Sequence, residues 1–245
     1  MPPTFTLLSP ETGTDYHLFV HAPDPVREPG PWPAVLFLDG DAMFADARAA
    51  YHDLRRTGAV PPLLLVGVGY GATFGQPRNR RGRDYTPVAH SDEPGSGGGD
   101  AFLRFLTGTL WPELGRRHPL AAGVRGIAGH SLGSLLVLHA LFQRQPFFTH
   151  HLASAPSIWW AERDLLRQVA ALRAAQDALP ARLFLSVGAE DSASMTEDLA
   201  LLERQLATTP FRDLTVATQR FPGKNHYNVL RDAFAAGLVS LYGGA

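Results

Sequence analysis

Apolar runs of strand length recur along this chain, and between most of them the apolar spacing changes from strand-like to one residue in every three or four. The runs are "TDYHLFVHA" (14–22), "AVLFLDG" (34–40), "LLLVGVGY" (63–70), "VRGIAG" (124–129), "HLASA" (151–155), "RLFLSVG" (182–188) and "LTVATQRF" (214–221). Helical spacing covers 43–58, 100–117, 132–145, 162–178, 192–208 and 227–242, the second opening on Asp100 as a candidate N-cap. Strands that alternate with helices pair in parallel and become buried on both faces, because each crossover helix lies over the sheet. The expectation is a three-layer α/β sandwich with a mostly parallel central sheet, no large cap domain, and ligands taken at the carboxyl ends of the strands. A chain of 245 residues accommodates this as one domain.

One stretch breaks the rhythm. Residues 71–99 run through "GQPRNRRGRDYTP" to "SDEPGSGGGD", too rich in Gly, Pro and charge to form an element of their own. Long loops of this kind line sites or move, so the first half is expected at the site and 91–99 is expected to be mobile. Charge is balanced over the whole chain, with 22 Lys and Arg against 23 Asp and Glu. There is therefore no global field to attract nucleic acid or an acidic membrane. Cysteine is absent, which excludes disulfides, thiolate metal sites and a thiol nucleophile and agrees with a reducing compartment. No basic segment precedes an apolar stretch at the start, and no apolar run is long enough to span a bilayer, so the expected setting is the cytoplasm.

Gly129-His130-Ser131-Leu132-Gly133 is a G-x-S-x-G sequence with a strand before it and a helix after it. In a tight strand-to-helix turn the serine is held in a strained conformation, and the residues two before and two after it must be small to avoid a clash. The hydroxyl is thereby presented at the sheet edge over the positive end of the next helix. The same five residues could be only a turn with a serine N-cap; the flanking strand and helix favour the nucleophile.

A serine hydroxyl needs a base within hydrogen-bond reach. In this topology the base follows the last strand and comes later in the chain than the acid. His226 in "FPGKNHYNVL" fits, whereas His130 is expected to point elsewhere, because neighbours in a sharp turn do not share a direction. His150 and His151 lack a third ligand at metal spacing, so neither a metal nor a cofactor is expected. The acid should follow strand 182–188, where Asp191 is favoured over Glu190. For the oxyanion hole, the candidate donors are the backbone N–H groups of Leu132 and Asp41, with Gly40 allowing close backbone approach.

"FLDGDAMF", "RRGRDYTP", "GHSLGS", "SAPSIWW" and "FPGKNHY", in that order, resemble the esterase branch of the α/β-hydrolases. The likeness is strongest to siderophore esterases that hydrolyse enterochelin- and salmochelin-type trilactones. It covers roughly residues 15–240. The resemblance implies Ser131 as nucleophile, His226 as base and the Asp41 and Leu132 N–H groups as the hole. Some such esterases use a Ser–His dyad, and the segment after Gly188 departs from the family pattern, as does Ser134 where a glycine is usual. Among Arg78, Arg80, Arg81 and Arg83, Arg81 is the candidate for binding a carboxylate or catecholate, while Arg83 and Asp84 read as structural. Trp159, after a strand end, is the candidate for stacking on a substrate ring.

The reading is a serine esterase acting through an acyl-enzyme on a small-molecule ester, with siderophore-like trilactones, ferric or otherwise anionic, as the first substrate class. A generic carboxylesterase, thioesterase or acyltransferase is the second reading, and a catalytically silent ligand-binding scaffold the third.

Overall fold

The computed structural model describes residues 2–244. Eight strands form one sheet in the order β1-β2-β4-β3-β5-β6-β7-β8. They are β1 (Phe5–Ser9), β2 (Thr14–His21), β3 (Trp32–Phe37), β4 (Leu64–Gly69), β5 (Leu120–His130), β6 (His150–Ser154), β7 (Ala178–Gly188) and β8 (Arg212–Phe221). From β4 through β8 every pairing is parallel, and only β1 and β2 run against their neighbours. The strands buried on both faces, such as "LLVGVG" in β4, are the ones whose sequence is apolar without alternation. The predicted run 14–22, in which apolar residues such as Tyr16, Leu18 and Val20 alternate with polar ones at its start, supplies the antiparallel β2 over Thr14–His21.

The helices are α1 (Gly40–Thr57), α2 (Arg81–Asp84), α3 (Gly99–Arg104), α4 (Trp111–Arg117), α5 (Leu132–Leu141), α6 (Trp160–Ala175), α7 (Ala193–Thr208) and α8 (Leu230–Tyr242). The core divides into two clusters, one on each face of the sheet. On one face α1 and α8 bury Phe44, Ala47, Phe234 and Leu238 against Phe37, Phe184 and Leu152. On the other, Leu135, Leu138, Leu165 and Leu199 from α5, α6 and α7 join Phe102 and Phe105 over Leu36, Ile127 and Leu185. This is the α/β-hydrolase arrangement of three layers.

Two departures fall in 99–117. Helical spacing predicts a single helix over 100–117, but the turn Phe105–Leu110 between α3 and α4 is a π-helix. Pro112 lies just beyond it, with no N–H to donate and a ring that crowds the preceding turn, and the wider turn accommodates both. Asp100 is not the cap: Gly98 occupies that position, and Asp100 Oδ1 is 2.7 Å from Nε2 of the buried His139. The insertion 71–99 also contains an element, the single turn α2. Its Asp84 is fully buried and accepts bonds from Tyr16 Oη (2.6 Å), Tyr70 Oη (3.1 Å) and Arg83 Nε (2.6 Å), a structural role for both charged residues. Further along, Trp160 Nε1 donates to the Val88 carbonyl at 2.8 Å and fastens the loop to α6. Strand β1 lies outside the predicted strands, because "FTLLS" is short and sits at the sheet's edge, where burial leaves little pattern.

Candidate active site

At the junction of β5 and α5 the chain reverses within one residue, Ser131, at φ 60 and ψ −124. A Cβ on Gly129 would lie 2.5 Å from the carbonyl carbon of Gly133, so only glycine fits there. Gly133 is different from expectation: a Cβ there would meet Asp39 and Leu38 at an ordinary 3.5 Å, because the crowding falls on the strand side of the turn. Ser134, in place of the usual glycine, fastens the turn, its buried Oγ reaching the carbonyl oxygens of Gly129 at 2.7 Å and Ser154 at 2.6 Å. Ser131 occupies the N-cap position of α5 yet makes no capping bond, so its hydroxyl is left for other use.

The loop between β8 and α8 brings His226 to the same edge. Ser131 and His226 line one cleft of about 340 Å³, with Ala42, Met43, Phe74, Arg81, His130, Tyr227 and Leu230. His226 Nδ1 stands 2.9 Å from Asp191 Oδ2, and Asp191 Oδ1 accepts the Ser192 N–H at 2.8 Å. The Asp191 side chain is 2% exposed. Glu190, by contrast, is exposed, and its backbone N–H goes to the Lys224 carbonyl at 2.8 Å. Of the two acids offered by the sequence, Asp191 is thus the one the fold places on the imidazole.

His130 does not point away. It is the last residue of β5, paired in register with Ser154 on β6, and its Nδ1 is 3.1 Å from Ser154 Oγ. That tether keeps the ring at the carboxyl edge, where its centroid lies 4.5 Å from that of His226. Burial, and then the neighbouring imidazole, lower its pKa to about 3, so it stays neutral beside the second histidine. His150 and His151 are also held neutral, chiefly by burial, with pKa values of about 4 and about 3. His150 stacks on Tyr242 at 5.0 Å and His151 sits in the core against Phe148.

Each of these imidazoles has a folded pKa below its unfolded value, so the unfolded chain binds more protons as pH falls below about 6.5, and stability is lost from there down toward pH 3. Between pH 7 and pH 5 the buried His130 and His151 should each remove on the order of 2 kcal/mol. Urea unfolding at the two pH values should show this loss, and His151→Leu should reduce it; equal losses in both proteins would contradict the assignment.

The β3–α1 turn completes the site. Gly40 lets α1 approach the sheet, since a Cβ there would lie 2.8 Å from backbone atoms of Gly67 and Val68. Asp39, in the left-handed region at φ 54, is clamped by Arg81, with Nε to Oδ1 at 3.0 Å and Nη2 to Oδ2 at 3.1 Å. Burial pushes the Asp39 carboxyl above its ordinary range, and the Arg81 guanidinium draws it part of the way back. Asp41 ties the same turn to the end of β4 by accepting the backbone N–H groups of Tyr70 and Gly71. Asp41 and Leu132 both stand in first helical turns, and among the described residues neither backbone N–H has a partner. An unpartnered N–H in the first turn of a helix is a donor of the kind that receives an anion.

Arg81 lines the cleft, but two of its donors belong to Asp39 and its guanidinium lies 4.6 Å from the Phe74 ring, so less of it is free for a ligand than its sequence position suggests. The structure does not bring Trp159 into the lining; it is 41% exposed and its ring lies beside Trp160. Three lining or underlying residues escape a reading of the sequence: Phe74, Tyr227 and Ser157, whose Oγ is 3.4 Å from that of Ser131. Each follows a strand's carboxyl end or adjoins a candidate residue, which is the available signal.

Residues 9–241 match the model of the family described as "Putative esterase". Ferri-bacillibactin esterase BesA of Bacillus subtilis is 28% identical over 234 residues, covering 88% of this chain and 80% of that protein. The siderophore triacetylfusarinine C esterase of Aspergillus fumigatus is 34% identical over 157 residues, 62% of this chain and 53% of that one. The chain thus spans about half the length of the fungal relative. Among solved structures, the BES protein from Bacillus cereus superposes with a TM-score of 0.85 at 26% identity, over 96% of this chain and 92% of that one. Siderophore hydrolase EstB from Aspergillus nidulans gives 0.83 at 24% identity, over 98% and 93%, a likeness of fold. A family match from the end of β1 to the end of α8, on a sheet of this order, makes the chain a member of the esterase family within the α/β-hydrolase fold.

Proposed function

We propose that this protein is a serine esterase that cleaves the ester bonds of siderophore-like trilactones through an acyl-enzyme. The observation that carries the reading is the 2.9 Å contact between Asp191 and His226, with His226 and Ser131 facing one cleft. Ser131 Oγ attacks the ester carbonyl as its proton passes to His226 Nε2, and the new oxyanion is held by the Leu132 and Asp41 N–H groups. Collapse breaks the bond to the alcohol, which leaves with the proton from His226. Water then gives its proton to His226, attacks the acyl carbon, and releases the acid and Ser131.

The substrate class rests on what the relatives' names say of those proteins and on the character of the rim. Phe74 is 48% and Tyr227 90% exposed, offering flat apolar surface on the cleft walls. Arg78 and Arg80, exposed in the loop between Phe74 and Arg81, have no ion-pair partner among the described residues. A bulky anionic ester matches both features. The test is a panel of p-nitrophenyl acetate, an iron-free trilactone and its ferric complex, run with and without a nucleophilic acceptor. The trilactones should show the higher kcat/KM and yield acid rather than transfer product; preferential transfer or a preference for the acetate would defeat the assignment. Arg78→Glu combined with Arg80→Glu should raise KM for the ferric substrate about 10-fold at low salt, with kcat retained and the effect shrinking as salt rises. Steady-state assays at two ionic strengths check this.

A further inference from the structure

Ser131 Oγ has one side-chain hydrogen-bond partner among the described residues, and it is another hydroxyl. Ser157 Oγ lies 3.4 Å away, at the long end of hydrogen-bond reach, and the Ser157 backbone N–H donates to the Ser131 carbonyl at 3.3 Å. Ser157 is 1% exposed, so its hydroxyl belongs to the wall behind the nucleophile rather than to the open cleft. Its backbone is held from both sides. The Ala155 N–H donates to the Ser186 carbonyl at 2.7 Å, and the Trp160 N–H donates to the Ser157 carbonyl at 3.2 Å.

The chain around it accepts unfavourable geometry. Ala155 has φ 45, and Ala161, Glu162 and Arg163 form a left-handed turn at φ 46, 54 and 62. For residues with a Cβ this conformation survives only where the surroundings over-determine it. Here Arg167 bonds the carbonyls of Ala161 and Glu162 at 3.0 and 2.9 Å, and Arg163 Nε reaches the buried Asp198 at 2.7 Å. The segment is fixed and delivers a fixed hydroxyl to Ser131.

We propose that Ser157 is a positioning residue for the nucleophile: its O–H donates to Ser131 Oγ and leaves the Ser131 hydrogen free to turn toward His226. This rests on the reading of Ser131 as the nucleophile. A serine hydroxyl is a rotor with several hydrogen positions, and accepting one bond on a defined side removes the unproductive ones. As Ser131 gives up its proton, charge builds on Oγ and the bond from Ser157 becomes charge-assisted, stronger in the transition state than in the ground state. In the acyl-enzyme the same O–H faces the ester oxygen of Ser131 and favours its departure. Ser157 forms no covalent bond, and its proton stays on it throughout.

The experiment compares Ser157→Ala and Ser157→Thr with wild type in three measurements: the rate of fluorophosphonate labelling with the labelled residue mapped, kcat and KM on a p-nitrophenyl ester, and the unfolding midpoint. Ser157→Ala should slow labelling and lower kcat by about 10- to 100-fold with KM within twofold, the range of one hydrogen bond to a developing charge, and Ser157→Thr should recover most of the rate. Labelling of Ser157→Ala at the wild-type rate, or equal losses in the two variants with unchanged midpoints, would overturn the proposal. Should Ser157→Ala not fold, Ser157→Cys, close in shape but a weak donor, carries the same expectation. A wild-type protein that is not labelled at Ser131 would instead overturn the nucleophile reading on which this one rests.

Discussion

Ser131→Ala should lower kcat on a p-nitrophenyl ester by about 10⁶-fold, the loss seen when one member of a group acting as a unit is removed. The unfolding midpoint should scarcely move. Ser131 makes no capping bond to α5, so alanine forfeits no cap, and the substitution removes only the weak 3.4 Å hydrogen bond to Ser157. The strained backbone at φ 60 is equally strained for alanine, whereas Ser131→Gly should raise the midpoint by relieving it. Inactivity combined with intact or improved stability separates a catalytic serine from a structural one. A structural turn serine would lose stability and leave the residual rate in proportion to the folded fraction. The neighbouring Ser157 hydroxyl is buried behind Ser131 and is not placed to take over an attack from the cleft. The check is a steady-state assay with an active-site titration by a fluorophosphonate; a variant retaining more than a hundredth of the wild-type rate would rule out the assignment.

The layer architecture is legible in the sequence because burial on both faces leaves an unmistakable record: β4 reads "LLVGVG" and α5 reads "LGSLLVLHAL" without a single charged residue. The elbow is legible because its close approach demands glycine at 129. Less is readable where the outcome depends on partners distant in sequence. Asp100 looks like a cap by local rules, but a histidine 39 positions later offers it a better bond. His130 is expected to point elsewhere and does not, because its direction is set by Ser154 on the next strand. Arg81 reads as substrate-facing because nothing local announces that Asp39, 42 residues earlier, clamps it. The site's charge-bearing groups are therefore mostly committed to one another across the sheet edge, and the sequence shows the groups without their commitments.

Asp191→Asn should lower kcat by about 10⁴-fold with little change in KM, while Glu190→Gln should leave both near wild type. The carboxylate is anchored at both oxygens, Oδ1 by the Ser192 N–H at 2.8 Å and Oδ2 by His226 Nδ1 at 2.9 Å. An amide has one oxygen, and the Ser192 N–H can only be met by that oxygen. The amide nitrogen then faces His226 and donates to Nδ1, which places the imidazole proton on Nε2, the atom that accepts from Ser131 in the proposed mechanism. The variant keeps its shape and holds the base in the wrong tautomer. A Ser–His dyad would behave differently: with Asp191 only a buttress, the amide would fill the same space and cost less than about 10-fold, since one neutral hydrogen bond is worth only about 1 kcal/mol. The neighbouring Glu190 is exposed, and it is Asp191 that occupies His226 Nδ1, so a loss in Glu190→Gln comparable to that in Asp191→Asn would move the acid by one residue. Measured at several pH values, the Asp191→Asn deficit should diminish in strong base, where hydroxide can replace the missing proton acceptor; a deficit unchanged across that range would point to distortion of the loop rather than to the tautomer.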